Sequence, residues 1–207
     1  MESGNAPSHN GMALLVVDVQ KDYCDPEGVF AKAGHDMHTM ETLLPKLARL
    51  VESARENGVF VVFVRNTIDP EEFTQNPLKR RRRQRVAGTA KYVVDGTLGH
   101  ELAEPLRAQP GDMVMKKYAS SAFLGTPLDP SLRGMGISTV VVTGVVTWGC
   151  VMATAQSAAY LGYIPMVVSD CVAGHDQYLH EAALEMMRRS FGTDLVLSSE
   201  QMMQSWS

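Results

Sequence analysis

Ser138-Thr139-Val140-Val141-Val142-Thr143-Gly144-Val145-Val146-Thr147-Trp148-Gly149-Cys150-Val151-Met152-Ala153-Thr154-Ala155 is the stretch that decides the fold. Its β-branched apolar run predicts a buried strand that breaks at Gly144, turns through Thr147-Trp148-Gly149, and passes into an Ala-rich helix with Cys150 at its first turn. A thiol therefore sits on a strand-to-helix elbow. Unpaired N–H groups and the positive end of the helix dipole favour the thiolate there, the nucleophilic form. The alternative is a small buried cysteine, the commoner role of a free thiol.

Outward from this stretch the same pattern recurs. Met12-Ala13-Leu14-Leu15-Val16-Val17-Asp18 is a continuous apolar run ending in a carboxylate, as in a strand covered on both faces. Val59 to Val64, Asp112 to Lys117, Ile164 to Val168 and Asp194 to Leu197 supply further strands, with Pro165 only at the start of its strand. Leu43, Leu44, Leu47, Leu50 and Val51 have helical spacing between Met40 and Asn57, with Pro45 in about the first turn. Short helices are predicted over Gly99 to Arg107 and from Asp129, and longer ones to Leu161, over Glu181 to Phe191, and from Ser198. Strands alternating with helices predict an α/β fold: a doubly wound, six-stranded parallel sheet with helices on both faces. Residues 1–11 read as a flexible N-terminal tail and 12–207 as one domain.

Composition narrows the function. The 207 residues are 45% hydrophobic and 20% charged with a net charge of -4, a soluble globular profile without a global pull toward nucleic acid or anionic lipid. No run approaches the roughly 18 apolar residues of a membrane span. Cys24, Cys150 and Cys171 are an odd number at wide spacing, which argues against a disulfide framework and fits a reducing cytoplasm. The run Lys79-Arg80-Arg81-Arg82-Arg83-Gln84-Arg85 lies in a long irregular segment; without interleaved aromatics it reads as a solvated face, a subunit contact or a site for an anionic substrate rather than a nucleic-acid surface.

Open parallel sheets place ligands beyond the carboxyl ends of their strands. Asp18, the pair Lys116 and Lys117, and Cys150 all fall there. Asp18 can equally cap the following loop, and either lysine alone can be a solvent-exposed loop residue. Taken together they supply what acyl transfer to a thiol needs: a nucleophile, a proton carrier and an orienting cation. His175, Asp176 and His180 have a spacing that suggests metal ligands, but without a further ligand they read better as capping and polar-surface residues.

Three segments resemble the isochorismatase-like cysteine hydrolases, the superfamily of nicotinamidases and of N-carbamoylsarcosine, ureidoacrylate, maleamate and biuret amidohydrolases. They are Leu14-Leu15-Val16-Val17-Asp18-Val19-Gln20; Lys117 four residues ahead of Ser121-Ala122-Phe123, then Gly125-Thr126 and Leu128; and Val142 to Thr147 leading to Cys150-Val151. Each alone is unspecific, whereas their order and spacing together are specific. N-carbamoylsarcosine amidohydrolase-type members are nearest in motif. The resemblance implies a catalytic triad of Asp18, Lys117 and Cys150, with Lys117 preferred to Lys116 by its spacing from Ser121. It also implies a cis Val145–Val146 peptide, an oxyanion hole from the N–H groups of Val146 and Cys150, and a homodimer or homotetramer. Gln20, Tyr23, Phe30, Tyr118 and Trp148, beside the triad in sequence, are candidates for the substrate pocket wall. Where nicotinamidases carry an Asp-x-His metal cluster, this chain has Arg65-Asn66-Thr67-Ile68-Asp69-Pro70, so no metal and no cofactor is expected. The expected activity is hydrolysis of a C–N amide, carbamoyl or ureido bond in a small non-peptide substrate through a thioester. The alternatives are a non-catalytic binding module and a vinyl-ether hydrolase, which has no need of Cys150.

Overall fold

Six of the apolar runs become the strands β1 (Met12–Val17), β2 (Phe60–Asn66), β3 (Met113–Lys117), β4 (Thr139–Val145), β5 (Ile164–Ala173) and β6 (Val196–Leu197). The computed structural model describes residues 11–68 and 90–206, together with 77, 81, 84, 85, 87 and 88. Residues 1–10, Asp69-Pro70 and most of the Lys79 to Arg85 run lie outside the described residues. The strands form one sheet in the order β3-β2-β1-β4-β5-β6, and every pairing is parallel. Strand β1 is central, with Leu14 in register with Val61 on one side and Val141 on the other.

The helices are α1 (Lys21–Cys24), α2 (Val29–Lys32), α3 (His38–Glu56), α4 (Leu128–Gly134), α5 (Met152–Tyr160), α6 (Gln177–Phe191) and α7 (Ser199–Trp206). They divide between the two faces because strand side chains alternate. Leu14, Val16, Val61 and Phe63 pack toward α3 and α7 through Leu43, Leu47, Leu50 and Met202. Ala13, Leu15, Val17, Val62 and Val64 pack toward α4, α5 and α6 through Leu128, Leu132, Ala155, Leu184 and Met187. Burial on both sides explains why the strands read as continuous apolar runs rather than alternating ones.

Several boundaries differ from expectation. Helix α3 begins at His38, so Pro45 lies two turns in rather than near the start. A proline there costs about 3 kcal/mol. Met40, Leu43, Leu47, Leu50 and Val51 are all buried, each worth about 1.5–3 kcal/mol, so packing outweighs that cost. Pro45 itself is exposed. Helix α6 starts at Gln177, four residues earlier than expected, because Asp176 Oδ1 accepts from the Leu179 N–H at 3.0 Å and caps it. The helix expected over Gly99 to Arg107 is absent. One tight turn, Leu98–His100, is followed by irregular chain in which Leu102 bridges to Gln20. The interrupting Pro105 and the pairing to Gln20 both hold that segment out of a helix.

Candidate active site

Asp18 follows β1, Lys117 ends β3 and Cys150 follows β4, all at the carboxyl edge of the sheet. Strand order reverses between β1 and β4, the position where open α/β sheets leave a crevice. Asp18 adopts φ +57°, a left-handed conformation that aspartate tolerates better than most residues. Gly144 makes the neighbouring approach possible. It has φ +108°, and a Cβ there would strike the Val17 carbonyl oxygen, so β4 passes β1 at backbone contact just below Asp18. The Thr143 hydroxyl reinforces the crossing by donating to the Leu15 carbonyl at 2.9 Å.

Beyond β4 the Val145–Val146 peptide is cis. Thr147–Val151 forms a wide turn broken at Gly149 (φ -111°, ψ -105°), and the Gly149 N–H donates to the Val146 carbonyl at 2.9 Å. Two contacts brace this turn. His180 of α6 shares a 2.8 Å hydrogen bond between Nδ1 and Thr147 Oγ1. Trp148 lies against Gly174, where a Cβ would strike the indole.

Lys117 is wholly buried, at 0% exposure, and its three ammonium protons have three acceptors. Nζ lies 2.8 Å from Asp18 Oδ2, 3.3 Å from Cys150 Sγ and 2.9 Å from the Ala119 carbonyl. Lys116 turns the other way and pairs with Asp95 at 2.5 Å. The segment after Lys117 is strapped to the helix that follows Cys150: Ser121 Oγ bonds Ser157 Oγ at 2.8 Å, and the Ala122 N–H donates to Thr154 Oγ1 at 3.0 Å. The Ser-Ala-Phe element thus fixes the lysine strand relative to α5, a physical reason for its spacing from Lys117.

The electrostatics correct one expectation. Burial, then the negative charge of Asp18, pushes the Cys150 thiol up to about 12, against the opposing pull of Lys117. Burial and the Asp18 charge thus favour the protonated thiol and oppose both Lys117 and the helix end that was expected to favour thiolate. Burial also raises the Asp18 carboxyl above its ordinary value, with Lys117 pulling the other way. Burial alone would lower Lys117, but the charges of Asp18 and Cys150 outweigh it and leave the ammonium more basic than usual. Asp18 Oδ1 is buried without a hydrogen-bond partner among the described residues.

The five pocket candidates divide. Gln20 is fully buried with its amide committed to backbone: Nε2 donates to the Asn66 and His100 carbonyls at 3.1 and 3.0 Å, and Oε1 accepts from the Asn66 N–H at 2.8 Å. It is a clamp between β1 and β2 rather than a free wall residue. Tyr23 is buried with its hydroxyl accepting from Asn66 Nδ2 at 2.6 Å, and its ring meets Phe30 edge-on at 4.8 Å. Trp148 sits two residues before Cys150, and Tyr118, 48% exposed, is one residue past Lys117.

Asn66, His35, Tyr92 and His175 were not anticipated here. Asn66 and His175 stand at or just past strand carboxyl ends, the same positional signal that singled out Asp18. Of the expected surface trio only Asp176 is a simple cap; His180 braces the Cys150 turn and His175 lies among aromatic rings, so the three side chains diverge. Among the described residues no group of three or more His, Cys, Asp or Glu side chains is arranged to hold a metal. Two crevices of about 230 and 270 Å³ lie elsewhere, and neither is lined by a residue of the Asp18, Lys117, Cys150 cluster.

The sequence model of the isochorismatase domain matches residues 12–201. RutB, a ureidoacrylate amidohydrolase of Methylobacterium radiotolerans, is 35% identical over an alignment of 192 residues that covers 86% of this chain and 74% of that protein. Among solved structures, N-carbamoylsarcosine amidase from Thermoplasma acidophilum is 29% identical, with a TM-score of 0.71 over 91% of this chain and 96% of that one. A cysteine hydrolase from Pseudomonas syringae pv. phaseolicola 1448A shares the fold, with a TM-score of 0.81 and 21% identity over 98% of this chain and 95% of that one. The chain belongs to the isochorismatase family, within the superfamily of isochorismatase-like cysteine hydrolases.

Proposed function

We propose that this enzyme is a cysteine-dependent amidohydrolase that cleaves a C–N amide, carbamoyl or ureido bond of a small non-peptide substrate through a thioester, without a metal or cofactor. One observation carries the reading: a buried ammonium, Lys117, that simultaneously contacts a buried carboxylate and a thiol, at 2.8 and 3.3 Å. Two relatives support it, since one is a ureidoacrylate amidohydrolase and another an N-carbamoylsarcosine amidase. A binding module has no use for a buried ion pair whose desolvation is expensive, and a vinyl-ether hydrolase has none for the thiol.

In this mechanism Asp18 takes the Cys150 proton as the sulfur attacks the carbonyl carbon, and Lys117 holds the carboxylate and the developing thiolate in place. The oxyanion forms against the Val146 and Cys150 N–H groups. Asp18 then returns the proton to the leaving nitrogen, ammonia or an amine departs, and the acyl group remains on sulfur. Water, deprotonated by Asp18, cleaves the thioester and restores the thiol. Residues 12–207 act as one domain, assembled as a homodimer or homotetramer; exposed Tyr160 and Tyr178, at 87% and 80%, supply apolar surface for such contacts. Free thiols at Cys24, Cys150 and Cys171 suit a cytoplasmic location.

The test is ammonia release from a panel of simple amides, carbamoyl amino acids, ureido acids and biuret, with and without chelator, for the native enzyme and Cys150→Ala. Chelator-resistant release that disappears in the variant is the expected result. Release that survives Cys150→Ala overturns the thioester route.

A further inference from the structure

Lys21, at the start of α1, forms one side of a crevice of about 270 Å³ that no residue of the triad lines. Arg65, near the end of β2, forms another side, and the irregular chain from Glu101 to Ala108 forms the rest. These walls are tied together through the backbone. The Lys21 N–H donates to the Glu101 carbonyl at 2.9 Å, the Ala103 N–H donates to the Val19 carbonyl at 3.0 Å, and Arg55 Nη2 donates to the Arg107 carbonyl at 2.8 Å. The crevice is therefore preformed, as small-molecule sites usually are.

Its charges do not balance. Lys21 pairs with Glu101 at 3.3 Å, and Arg107 pairs with Glu104 at 3.2 Å. Arg65 is left over: it makes no ion pair among the described residues, and its Nε is buried without a hydrogen-bond partner among them. Three cations against two carboxylates leave one positive charge. That charge is felt behind the crevice, where burial first and Arg65 next hold the His100 imidazole below its ordinary value. A half-buried cation without a counter-ion is costly, and an anion relieves that cost.

The surroundings narrow the kind of anion. The planar guanidinium fork matches the two oxygens of a carboxylate. One surplus charge suits a monoanion, whereas the second charge of a phosphate would face Glu101 and Glu104. Buried Leu106, half-buried Leu102 and the methyl group of Ala108 give the crevice an apolar side. We propose that this crevice is a binding site for a short-chain aliphatic monocarboxylate, whose oxygens meet the Arg65 guanidinium and whose tail lies along Leu102, Leu106 and Ala108. The site is distinct from the Asp18, Lys117, Cys150 cluster, and the inference does not rest on the amidohydrolase reading.

The experiment titrates acetate, butyrate and hexanoate into the full chain by calorimetry, with butyramide as the uncharged counterpart of butyrate and inorganic phosphate as the competing anion. Saturable binding of one carboxylate per chain should tighten by about twofold to fourfold for each added methylene, the worth of partial to full burial of that group. Butyramide and phosphate should each bind at least about tenfold more weakly than butyrate, and Cys150→Ala should bind butyrate as the native chain does. Arg65→Met, which keeps the length of the stem without the charge, should weaken butyrate at least about tenfold. Ala108→Phe, which fills the apolar side and leaves Arg65 in place, should weaken hexanoate more than acetate, so the proposal stays testable if thermal melts show Arg65→Met to be unfolded. The site is overturned by the absence of saturable carboxylate binding to the native chain, or by butyrate binding that is unchanged in a folded Arg65→Met. Loss of that binding in Cys150→Ala overturns it too, because the ligand would then sit at the catalytic cluster. Phosphate binding tighter than butyrate, or hexanoate no tighter than acetate, overturns the aliphatic monocarboxylate as its ligand.

Discussion

In the proposed mechanism Asp18 acts on Cys150 in two opposing ways, and a single substitution probes both through different readouts. As the base of the proposed mechanism it takes the thiol proton; as a buried negative charge it raises the pKa of that same thiol. Asp18→Asn removes both. Turnover should fall by about 10²–10⁴, the usual worth of a general base. Lys117, still buried, then has only the sulfur to neutralise it, so the Cys150 pKa should drop and its alkylation by iodoacetamide near neutral pH should become faster than in the native enzyme. A slower alkylation in Asp18→Asn would mean that Asp18 favours the thiolate at rest, contrary to the geometry. In that mechanism the same carboxylate sets the acid limb of the rate. Its folded pKa is raised above 3.8, so the base is already being protonated at pH values where an ordinary aspartate remains ionised. The kcat/KM profile should therefore lose activity on acidification above the normal aspartate range, and the limb should vanish only with Asp18. Lys117, held more basic than usual, contributes no alkaline loss near neutrality.

At the scale of elements, the strap between the loop after β3 and α5 carries the geometry of the lysine. Thr154→Val leaves the buried Ala122 N–H without its acceptor, which should cost about 1–3 kcal/mol in urea unfolding. Since the loop sets Lys117 against Cys150, kcat should fall more than KM rises; a pure stability loss with unchanged kcat would show that β3 alone positions the lysine. The strand ends that carry Asp18, Lys117 and Cys150 were legible because apolar runs terminate abruptly in polar residues, a signal that survives without any tertiary information. The thiolate preference was not, because it depends on burial and on the balance between the Asp18 and Lys117 charges, which only the tertiary fold brings to the sulfur. Gln20 was misplaced for a similar reason: nothing local shows that its amide is consumed by the Asn66 and His100 backbone, which sit 46 and 80 residues away. The segment from Gly99 to Arg107 reads as a helix but is kept out of one by its bridge to Gln20 and by Pro105, a tertiary override of local preference.

For the whole molecule, parallel alternation of strands and helices was readable from the sequence, whereas the chain order of the sheet was not. That order places β1 and β4 side by side and lets two distant elbows face each other across the switch point. The outer part of the sheet is closed by α7, whose first residue is tied to β5 through Asp170: the Ser199 N–H and hydroxyl donate to its carboxylate at 2.7 and 2.9 Å, and Lys46 lies at 3.4 Å. These two carboxylates respond oppositely to acid. Burial tends to raise the Asp170 pKa, but the Ser199 hydrogen bonds and Lys46 outweigh it and hold it below 3.8, so its stabilisation is present above that value and is lost as pH falls through the lower folded value. Asp18 is raised, so its ionised form costs the native state stability at neutral pH, and protonation on the way down relieves that cost. Asp170→Asn should accordingly lower the melting temperature at pH 7, and between about pH 5 and about pH 3 its decline on acidification should be shallower than that of the native protein. Thermal melts across that range decide the matter. Parallel curves would show that Asp170 does not link the last helix to the sheet through its charge, and that α7 is held by the burial of Met202 and Trp206 alone.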